Sequence, residues 1–345
     1  MFNTSISKPD SSSRRRFLET TCSLAVATAL GQPDPALALT EQSPAGDANK
    51  ESSFPLRIGV LSGTFNRPTI EATFDAVKSC GLDCVQLSLA SAGLSPQPEP
   101  FPQGVLDRIK DAAAARKIAI VAMDGTFNMS HPDLEHRATG LRQLRVLAAA
   151  CQQLGVSFVH ICTGTRDRNS MWRRHSENDS PEAWRDMTGC IREAVNVAQQ
   201  AGLVLAFEPE VNNVVDSAVK ARRLLDEIHS PHLKVTMDGA NIFHAGELAR
   251  MSEVLDQAFA LLGKDIVLAH AKDLDHDGDA GHKAAGEGLL DYPRYLSLLL
   301  SSGFRGPLLL HGLSESQVPG CAAFLRKTLA TVVAPQSRRT ASKPS

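Results

Sequence analysis

The chain has 345 residues, of which 43% are hydrophobic and 21% are charged, a balance that predicts a globular protein with a sizeable core and argues against disorder. Its 36 Lys and Arg residues are matched by 38 Asp and Glu residues, so the net charge is close to zero. Such a chain has no long-range field with which to attract nucleic acid or an anionic membrane, and a small uncharged partner is favoured.

The N-terminal segment is typical of an export signal. Ser13–Leu18 has consecutive arginines followed by Phe and Leu, and a weakly apolar run, Leu24–Leu30, and a small-residue exit, Ala36–Ala38, come after it. The sequence therefore predicts a twin-arginine signal peptide over 1–38 and a periplasmic or otherwise exported protein, the alternative being a basic arm before a poorly ordered tail. The apolar run is shorter than the ~20 residues that a membrane-spanning helix needs, so no stable membrane insertion is expected.

Segments without periodicity, rich in Pro, Ser, Ala and charge, predict a flexible linker at 39–54 and a flexible tail at 331–345. Between them a strand-like run followed by a helix-like run recurs roughly every thirty residues, which is the spacing of βα units. The predicted strands are Leu56–Ser62, Cys84–Leu89, Ile118–Met123, Phe158–Cys162, Leu203–Glu208, Leu233–Asp238, Ile266–Lys272 and Pro307–His311. They are short and apolar, as strands buried on both faces should be.

The segments between the strands have the 3.6-residue period of helices, and several end at a glycine. The clearest are Pro68–Ser79, Leu141–Gln153, Ala183–Gln200, Ser217–Ile228 and Tyr292–Ser301. Alternating βα units predict a parallel sheet, and eight of them in this length favour closure over an open sheet. The predicted fold class is α/β, a single (β/α)8 TIM barrel that forms the catalytic domain over 55–330.

Each of the last four predicted strands ends in a polar residue that interrupts an apolar run. These residues are Glu208, Asp238, His270 and His311. Catalytic groups of such barrels lie at the carboxyl ends of the strands, and adjacent strands are about 4.8 Å apart, so these side chains can converge on one ion. Two oxygen and two nitrogen ligands predict a divalent cation, with Mn2+ as the first choice and Co2+, Fe2+, Zn2+ and Mg2+ as alternatives.

The order Glu, Asp, His at these strand ends, with His270-x-Lys272-Asp273 and the later Gly286-Glu287-Gly288, resembles the sugar phosphate isomerase/epimerase family of xylose isomerase-like barrels. The resemblance covers about 56–330. In ketose 3-epimerases of that family Glu, Asp, His and a second Glu hold the metal, and the two glutamates act as acid and base. The resemblance implies that Glu208, Asp238 and His270 are metal ligands.

The chain departs from the family pattern at two positions. His311 stands where the second glutamate is expected, and Asn241 replaces the histidine usually found three residues after the aspartate. A ligated imidazole has no second oxygen free to take a proton, so one-base chemistry is favoured. In this hypothesis Glu208 removes a proton alpha to a metal-polarised carbonyl to give an enediolate, and Lys272 or His160 supplies or relays the proton.

Three further residues are predicted to contact substrate. Glu210 follows a proline and can face a sugar hydroxyl, Trp172 can stack on a pyranose face, and Glu287 lies between two glycines. Each has a plainer interpretation as an exposed loop residue. For Lys272 the plainer interpretation is an ion pair with Asp273 or Glu208.

The predicted function is therefore an exported, metal-dependent sugar isomerase or epimerase, with a sugar or keto-glycoside as its partner. The same intermediate also leads to loss of a leaving group, so a lyase acting on 3-keto-glycosides or inosose-like polyols stays open, as does a noncatalytic sugar-binding barrel. A related abasic-site endonuclease needs more metal ligands and a basic face, and no nucleic-acid partner is expected. The sequence leaves homo-oligomer formation open.

Overall fold

The computed structural model describes residues 55–95 and 101–339, with side chains described as far as Ala334. The predicted signal peptide and linker lie outside the described residues. Nine strands are found in the described part of the chain. They are β1 (Arg57–Leu61), β2 (Cys84–Leu87), β3 (Ala119–Asp124), β4 (Phe158–Cys162), β5 (Val204–Glu208), β6 (Leu233–Asp238), β7 (Ile266–Asp273), β8 (Lys283–Ala284) and β9 (Pro307–Leu310).

Eight of these strands form a closed parallel barrel, which confirms the predicted fold class. The strand order is β6-β5-β4-β3-β2-β1-β9-β7, and the pairing of β6 with β7 closes the ring. The short β8 pairs antiparallel with the end of β7, where Lys272 lies opposite Ala284. This hairpin was not predicted, because a two-residue strand has no periodicity to detect.

Eight α-helices surround the barrel in the described residues. They are α1 (Ile70–Ser79), α2 (Val105–Arg116), α3 (Leu134–Leu154), α4 (Pro181–Ala201), α5 (Ala218–Ile228), α6 (Met251–Leu262), α7 (Tyr292–Ser301) and α8 (Val318–Arg339). Side chains that accept from the first helical turn, such as Ser180 and Ser217, start the helices. Left-handed glycines end two of them, Gly155 after α3 and Gly202 after α4.

Helix α8 continues past residue 330, where the sequence predicts the barrel domain to end and the tail to begin. Val332 packs against the core and the Thr331 hydroxyl donates to the Lys327 carbonyl at 3.1 Å, which explains why the helix continues. No helix among the described residues has the length and apolar character needed to cross a membrane.

The register of β6 and β7 positions the end of the barrel at which polar residues collect. Asp238 lies directly opposite His270 in this pairing, and an irregularity after Val235 sets that alignment. Inside the barrel a small apolar layer of Ala122, Ala206 and Leu268 fills the space below. The polar side chains at the carboxyl ends of the strands therefore lie above a packed floor.

Candidate metal centre and substrate cavity

Glu208 at the end of β5 is a buried carboxylate that contacts three polar side chains. It is 4% exposed, and its Oε2 lies 3.1 Å from His270 Nδ1 and 3.4 Å from His160 Nε2. Its Oε1 accepts a hydrogen bond from Asn241 Nδ2. Burial alone would raise the pKa of Glu208, but the charge of His270, the contact with it and the charge of Lys272 outweigh burial and lower that pKa. Glu208 is therefore an anion at neutral pH.

Asp238, His270 and His311 form a second cluster that shares His270 with the first. One ligand atom from each lies within 4.8 Å of the others, and the same holds for the group of His160, Glu208 and His270. The buried atoms Asp238 Oδ2, His270 Nδ1 and His311 Nδ1 make no hydrogen bond, although the first faces Lys272 Nζ at 3.7 Å and the second faces Glu208 Oε2 at 3.1 Å. A buried polar atom without a hydrogen bond is unfavourable by about 1–3 kcal/mol, so this group of atoms needs an explanation.

These unpaired atoms fit a divalent cation. A carboxylate oxygen and two imidazole nitrogens are its usual ligands, and the second oxygen of Asp238 is already held by the Ala240 amide at 2.9 Å. Burial lowers the pKa of His311 well below its ordinary value, so that imidazole is neutral and its lone pair is free. Glu208 adds negative charge beside the same point. The chemistry of this donor set fits Mn2+, Co2+, Fe2+, Zn2+ or Mg2+.

Lys272 at the end of β7 is buried beside this cluster. Its Nζ lies 3.7 Å from Asp238 Oδ2, so the partner is Asp238 and not Asp273 or Glu208, the two partners that the sequence suggests. Asp273 instead accepts from the backbone amides of Leu274 and Leu290, each at 2.9 Å. Burial raises the pKa of Asp238, and the ammonium group of Lys272 opposes that rise. Lys272 thus faces into the barrel end, as its alternation with His270 predicts.

His160 in the middle of β4 connects Glu208 to the barrel interior. Its Nε2 faces Glu208, and its Nδ1 lies 3.0 Å from the Thr236 hydroxyl oxygen. Burial and the neighbouring His270 lower the pKa of His160 to about 4, so the imidazole is neutral at neutral pH. A neutral imidazole touching a carboxylate is a suitable group for relaying a proton.

A cavity of about 650 Å³ opens next to the cluster. His311 and Gln86 form the wall on the side of the metal cluster, and Asp124 and Glu287 contribute carboxylates. Glu287 is exposed at the cavity and accepts from Gln317 Nε2 at 2.6 Å. The volume is in the range of small-molecule sites, and the wall is polar enough for a polyol.

Two predicted substrate residues lie elsewhere. Trp172 is 49% exposed in the segment that follows β4 and does not line this cavity. Glu210 is buried, also off the cavity wall, and burial together with the neighbouring Glu208 raises its pKa to about 8. Their roles as substrate contacts stay predictions without support from the cavity.

Several residues at this barrel end were not singled out from the sequence. Gln86 within β2 lies 3.0 Å from His270 Nε2 through its Oε1, and Asp124 ends β3 at the cavity wall. Asp124 follows an apolar run at a strand end, the signal that identified the last four strands, whereas Gln86 interrupts the apolar run of its strand before the end. Asn241 was noted only as a departure, yet it holds Glu208 and accepts from the Gly281 amide at 2.9 Å.

A separate exposed cluster lies in the segment between β7 and β8. Asp275 Oδ1 lies 2.6 Å from His276 Nδ1 and 2.8 Å from His282 Nε2, and Asp275 Oδ2 lies 2.9 Å from Lys283 Nζ. These atoms already satisfy one another, and the lysine opposes a bound cation. The cluster therefore serves as a natural control for the buried one.

Residues 74–327 match the protein family described as xylose isomerase-like TIM barrel. Over 190 residues the chain is 25% identical to the L-ribulose-5-phosphate 3-epimerase UlaE of Escherichia coli, an alignment that covers 55% of this chain and 62% of that protein. The chain thus spans less than two thirds of the length of the curated relatives it matches, and these relatives are sugar epimerases.

Solved structures show the same fold at lower identity. An L-ribulose 3-epimerase structure superposes with a TM-score of 0.65 at 16% identity, covering 84% of this chain and 99% of that one. The 3-keto-D-glucoside 4-epimerase YcjR from E. coli, in its apo form, gives a TM-score of 0.59 at 19% identity, covering 80% and 98%. At these identities the likeness concerns the fold alone.

Proposed function

The chain belongs to the xylose isomerase-like TIM barrel family, and on that premise we propose that it is a divalent-metal-dependent sugar isomerase or epimerase that removes a proton alpha to a carbonyl. The observation that carries the proposal is the buried group of Asp238, His270 and His311 at the carboxyl end of the barrel, each with a ligand atom that makes no hydrogen bond. They lie beside a cavity of about 650 Å³ that is large enough for a monosaccharide. The sugar epimerases among the curated relatives support the same reaction class.

Glu208, Asp238, His270 and His311 would hold the cation, with Mn2+ as the first choice for a mixed oxygen and nitrogen set. When bound, the cation supplies Lewis-acid polarisation of a substrate carbonyl and balances negative charge on its oxygen. The chain itself supplies a neutral His311 imidazole and an ionised Glu208 carboxylate at neutral pH, because burial lowers the pKa of His311 and the charge of His270 lowers that of Glu208.

Glu208 takes the proton from the substrate carbon in this proposal. Its Oε2 is 3.4 Å from His160 Nε2, so the proton can pass to His160, which the Thr236 hydroxyl holds in place. Lys272, 3.7 Å from Asp238, can deliver a proton to the neighbouring oxygen of the sugar. In this proposal Glu208 is the carboxylate base, His160 accepts the proton from it, and Lys272 donates a proton to the sugar oxygen.

The charges around the cavity favour a sugar without a phosphate group. Asp124 and Glu287 contribute carboxylates to the wall, and the ammonium group of Lys283 is paired with Asp275 at 2.9 Å. A phosphate dianion would therefore meet negative charge without an unpaired cation from these residues, whereas sugar hydroxyls hydrogen-bond readily to carboxylates. A ketose or keto-glycoside is the preferred substrate class.

His311 gives specific support to a second reaction outcome. A single imidazole at the fourth ligand position cannot act as a second carboxylate base, so the carbanion that Glu208 generates need not be reprotonated on the opposite face. Loss of a leaving group beta to the carbonyl is then the competing route, as in a lyase acting on 3-keto-glycosides or inosose-like polyols. A noncatalytic sugar-binding barrel is the third alternative.

The test uses protein purified from residue 39 onward. Bound metal is measured by mass spectrometry, and proton exchange into L-ribulose, D-tagatose and a 3-keto-glucoside is followed in heavy water before and after chelation. We expect one divalent cation per chain and deuterium alpha to the carbonyl only in the metal-loaded protein. The product separates the two routes, since an epimer or isomer indicates proton return and an unsaturated sugar indicates elimination.

Matched variants tie the result to the buried cluster. Asp238→Asn should lose the metal, and Glu208→Gln should lose the exchange reaction by more than a hundredfold because its base is gone. Asp75→Asn, which changes an exposed ion pair with Arg116 away from the cavity, should change neither. A wild-type protein that binds no divalent cation would contradict the proposal, and metal and sugar binding without exchange would favour the noncatalytic alternative.

We also propose that the protein is exported through the twin-arginine pathway, from the pattern at Ser13–Leu18. Full-length protein expressed in a bacterium should appear in the periplasmic fraction, and the double variant Arg14→Lys with Arg15→Lys should remain in the cytoplasm. Equal fractionation of the two proteins would overturn this assignment.

A further inference from the structure

Gln86 occupies a position between the proposed metal ligands and the substrate cavity. It lies within β2, one residue before the strand ends, is 1% exposed, and lies in the cavity wall together with His311. Its Oε1 is 3.0 Å from His270 Nε2, while its Nε2 has no hydrogen-bond partner. The amide of Gln86 therefore has one used end, the oxygen, which makes a hydrogen bond, and one free end, the nitrogen, which makes none.

The used end holds one nitrogen of His270 and leaves the other for a cation. An amide oxygen only accepts hydrogen bonds, so His270 Nε2 donates to Gln86 Oε1. Nδ1, which faces Glu208 Oε2 at 3.1 Å, is the nitrogen directed to the proposed ligands. Gln86 thus prepares His270 as a metal ligand through Nδ1, the role that outer partners of metal-bound histidines play.

The free end is a buried donor in need of an acceptor. An unsatisfied buried amide is unfavourable, and the cavity that Gln86 lines is the direction from which an acceptor can arrive. Gln317, in the same cavity wall, shows the contrast. Its Nε2 donates to Glu287 at 2.6 Å and its Oε1 accepts from the Ser314 amide at 2.9 Å, so both of its ends are satisfied within the protein.

We propose that Gln86 has two roles: through Oε1 it positions His270 for the metal, and through Nε2 it donates to an oxygen of the bound sugar. The second role rests on the proposed function, since it needs a sugar in the cavity. Gln86 then couples substrate binding to ligand geometry, because movement of the amide toward the sugar also moves the group that orients His270.

Substitutions at Gln86 separate the two roles. Gln86→Glu keeps an oxygen that accepts from His270 but loses the donor, whereas Gln86→Met has similar length and loses both. Mn2+ affinity, measured by competition with a chelator, should fall at least about tenfold in Gln86→Met and should be retained in Gln86→Glu. Binding of L-ribulose and D-tagatose to the Mn2+-loaded proteins, measured by calorimetry, should weaken about three- to tenfold in both variants. Gln152→Met, which changes an exposed glutamine of α3 that does not line the cavity, is the matched control, with both affinities within about twofold of wild type.

A spectroscopic measurement tests the first role without substrate or metal. In chelated protein with isotope-labelled histidine, the NMR signal of His270 Nε2, assigned with the His270→Gln variant, should show a hydrogen-bonded proton, which Gln86→Met should lose and Gln86→Glu should keep. An Nε2 without a proton in the wild type would overturn the positioning role.

The remaining outcomes are equally decisive. Sugar affinity in Gln86→Glu equal to that of the wild type would overturn the donor role, and so would a Mn2+-loaded wild type that binds neither ketose. A wild type that binds no divalent cation, with His270 protonated on Nε2, would contradict the proposed function and leave the positioning of His270 intact.

Discussion

At the scale of single residues, His311 gives this site its particular chemistry. Burial keeps its pKa well below the ordinary value and its Nδ1 has no hydrogen-bond partner, so the imidazole is neutral and free to bind a cation. Its ring lies 5.0 Å from that of His270 at an angle of 68°, an edge-to-face arrangement. A glutamate there would add a negative charge and a second base.

The variant His311→Gln tests this residue. We expect its Mn2+ affinity to fall at least about tenfold, because an amide is a weaker ligand than a neutral imidazole. The measurement is chelator competition at neutral pH. His282→Gln, which changes an exposed histidine of the separate cluster, should leave the affinity unchanged. Equal losses in the two variants would show that His311 has no special role.

At the scale of elements, helix α7 holds together the two strands that carry Asp238 and His270. The Tyr295 hydroxyl donates to the carbonyls of Met237 on β6 and His270 on β7, each at 2.9 Å. The Tyr292 hydroxyl donates to the Lys272 carbonyl at 2.7 Å. Because these carbonyls belong to residues in or beside the cluster, α7 fixes the position of the strand ends that carry the proposed ligands.

Tyr295→Phe should lower the free energy of unfolding by about 1–3 kcal/mol, because it leaves buried carbonyl groups without a donor and changes little else in the packing. Tyr292→Phe removes a donor with a single partner and should cost less. Urea unfolding at equilibrium measures both. If Tyr292→Phe were the more damaging change, the bridging role of Tyr295 would be wrong.

At the scale of the whole molecule, barrel closure gathers groups that are far apart in sequence. Gln86 on β2 and His270 on β7 touch across a separation of 184 residues. Unfolding disperses the proposed ligands, so a cation that binds the folded chain must also stabilise it. Charge accumulated in the buried cluster makes this coupling strong.

Mn2+ should therefore raise the melting temperature of the protein. At a concentration one hundred times the dissociation constant, the expected stabilisation is about 2.7 kcal/mol, which corresponds to roughly 5–10 °C for a barrel of this size. Differential scanning calorimetry measures the shift. Asp238→Asn should abolish it and Asp275→Asn should retain it; a shift that survives Asp238→Asn would move the site away from the buried cluster.

The sequence predicted the barrel because its signals are local. Apolar runs buried on both faces, helical periods and glycines at helix ends each involve neighbouring residues, so the predicted strands agree with the structure to within about two residues. The same locality identified Glu208, Asp238, His270 and His311 as polar interruptions at strand ends. Trp172 was also proposed from local pattern, yet its place outside the cavity wall depends on the path of a long loop.

The closed barrel and the polar residues at its carboxyl end were thus predictable from local sequence patterns. The contacts between these side chains were not: Lys272 with Asp238, Asn241 with Glu208, and Gln86 with His270. The physical reason is that a hydrogen bond or ion pair depends on distances of a few ångströms. These distances are set by strand register and ring closure, which no local stretch of sequence encodes.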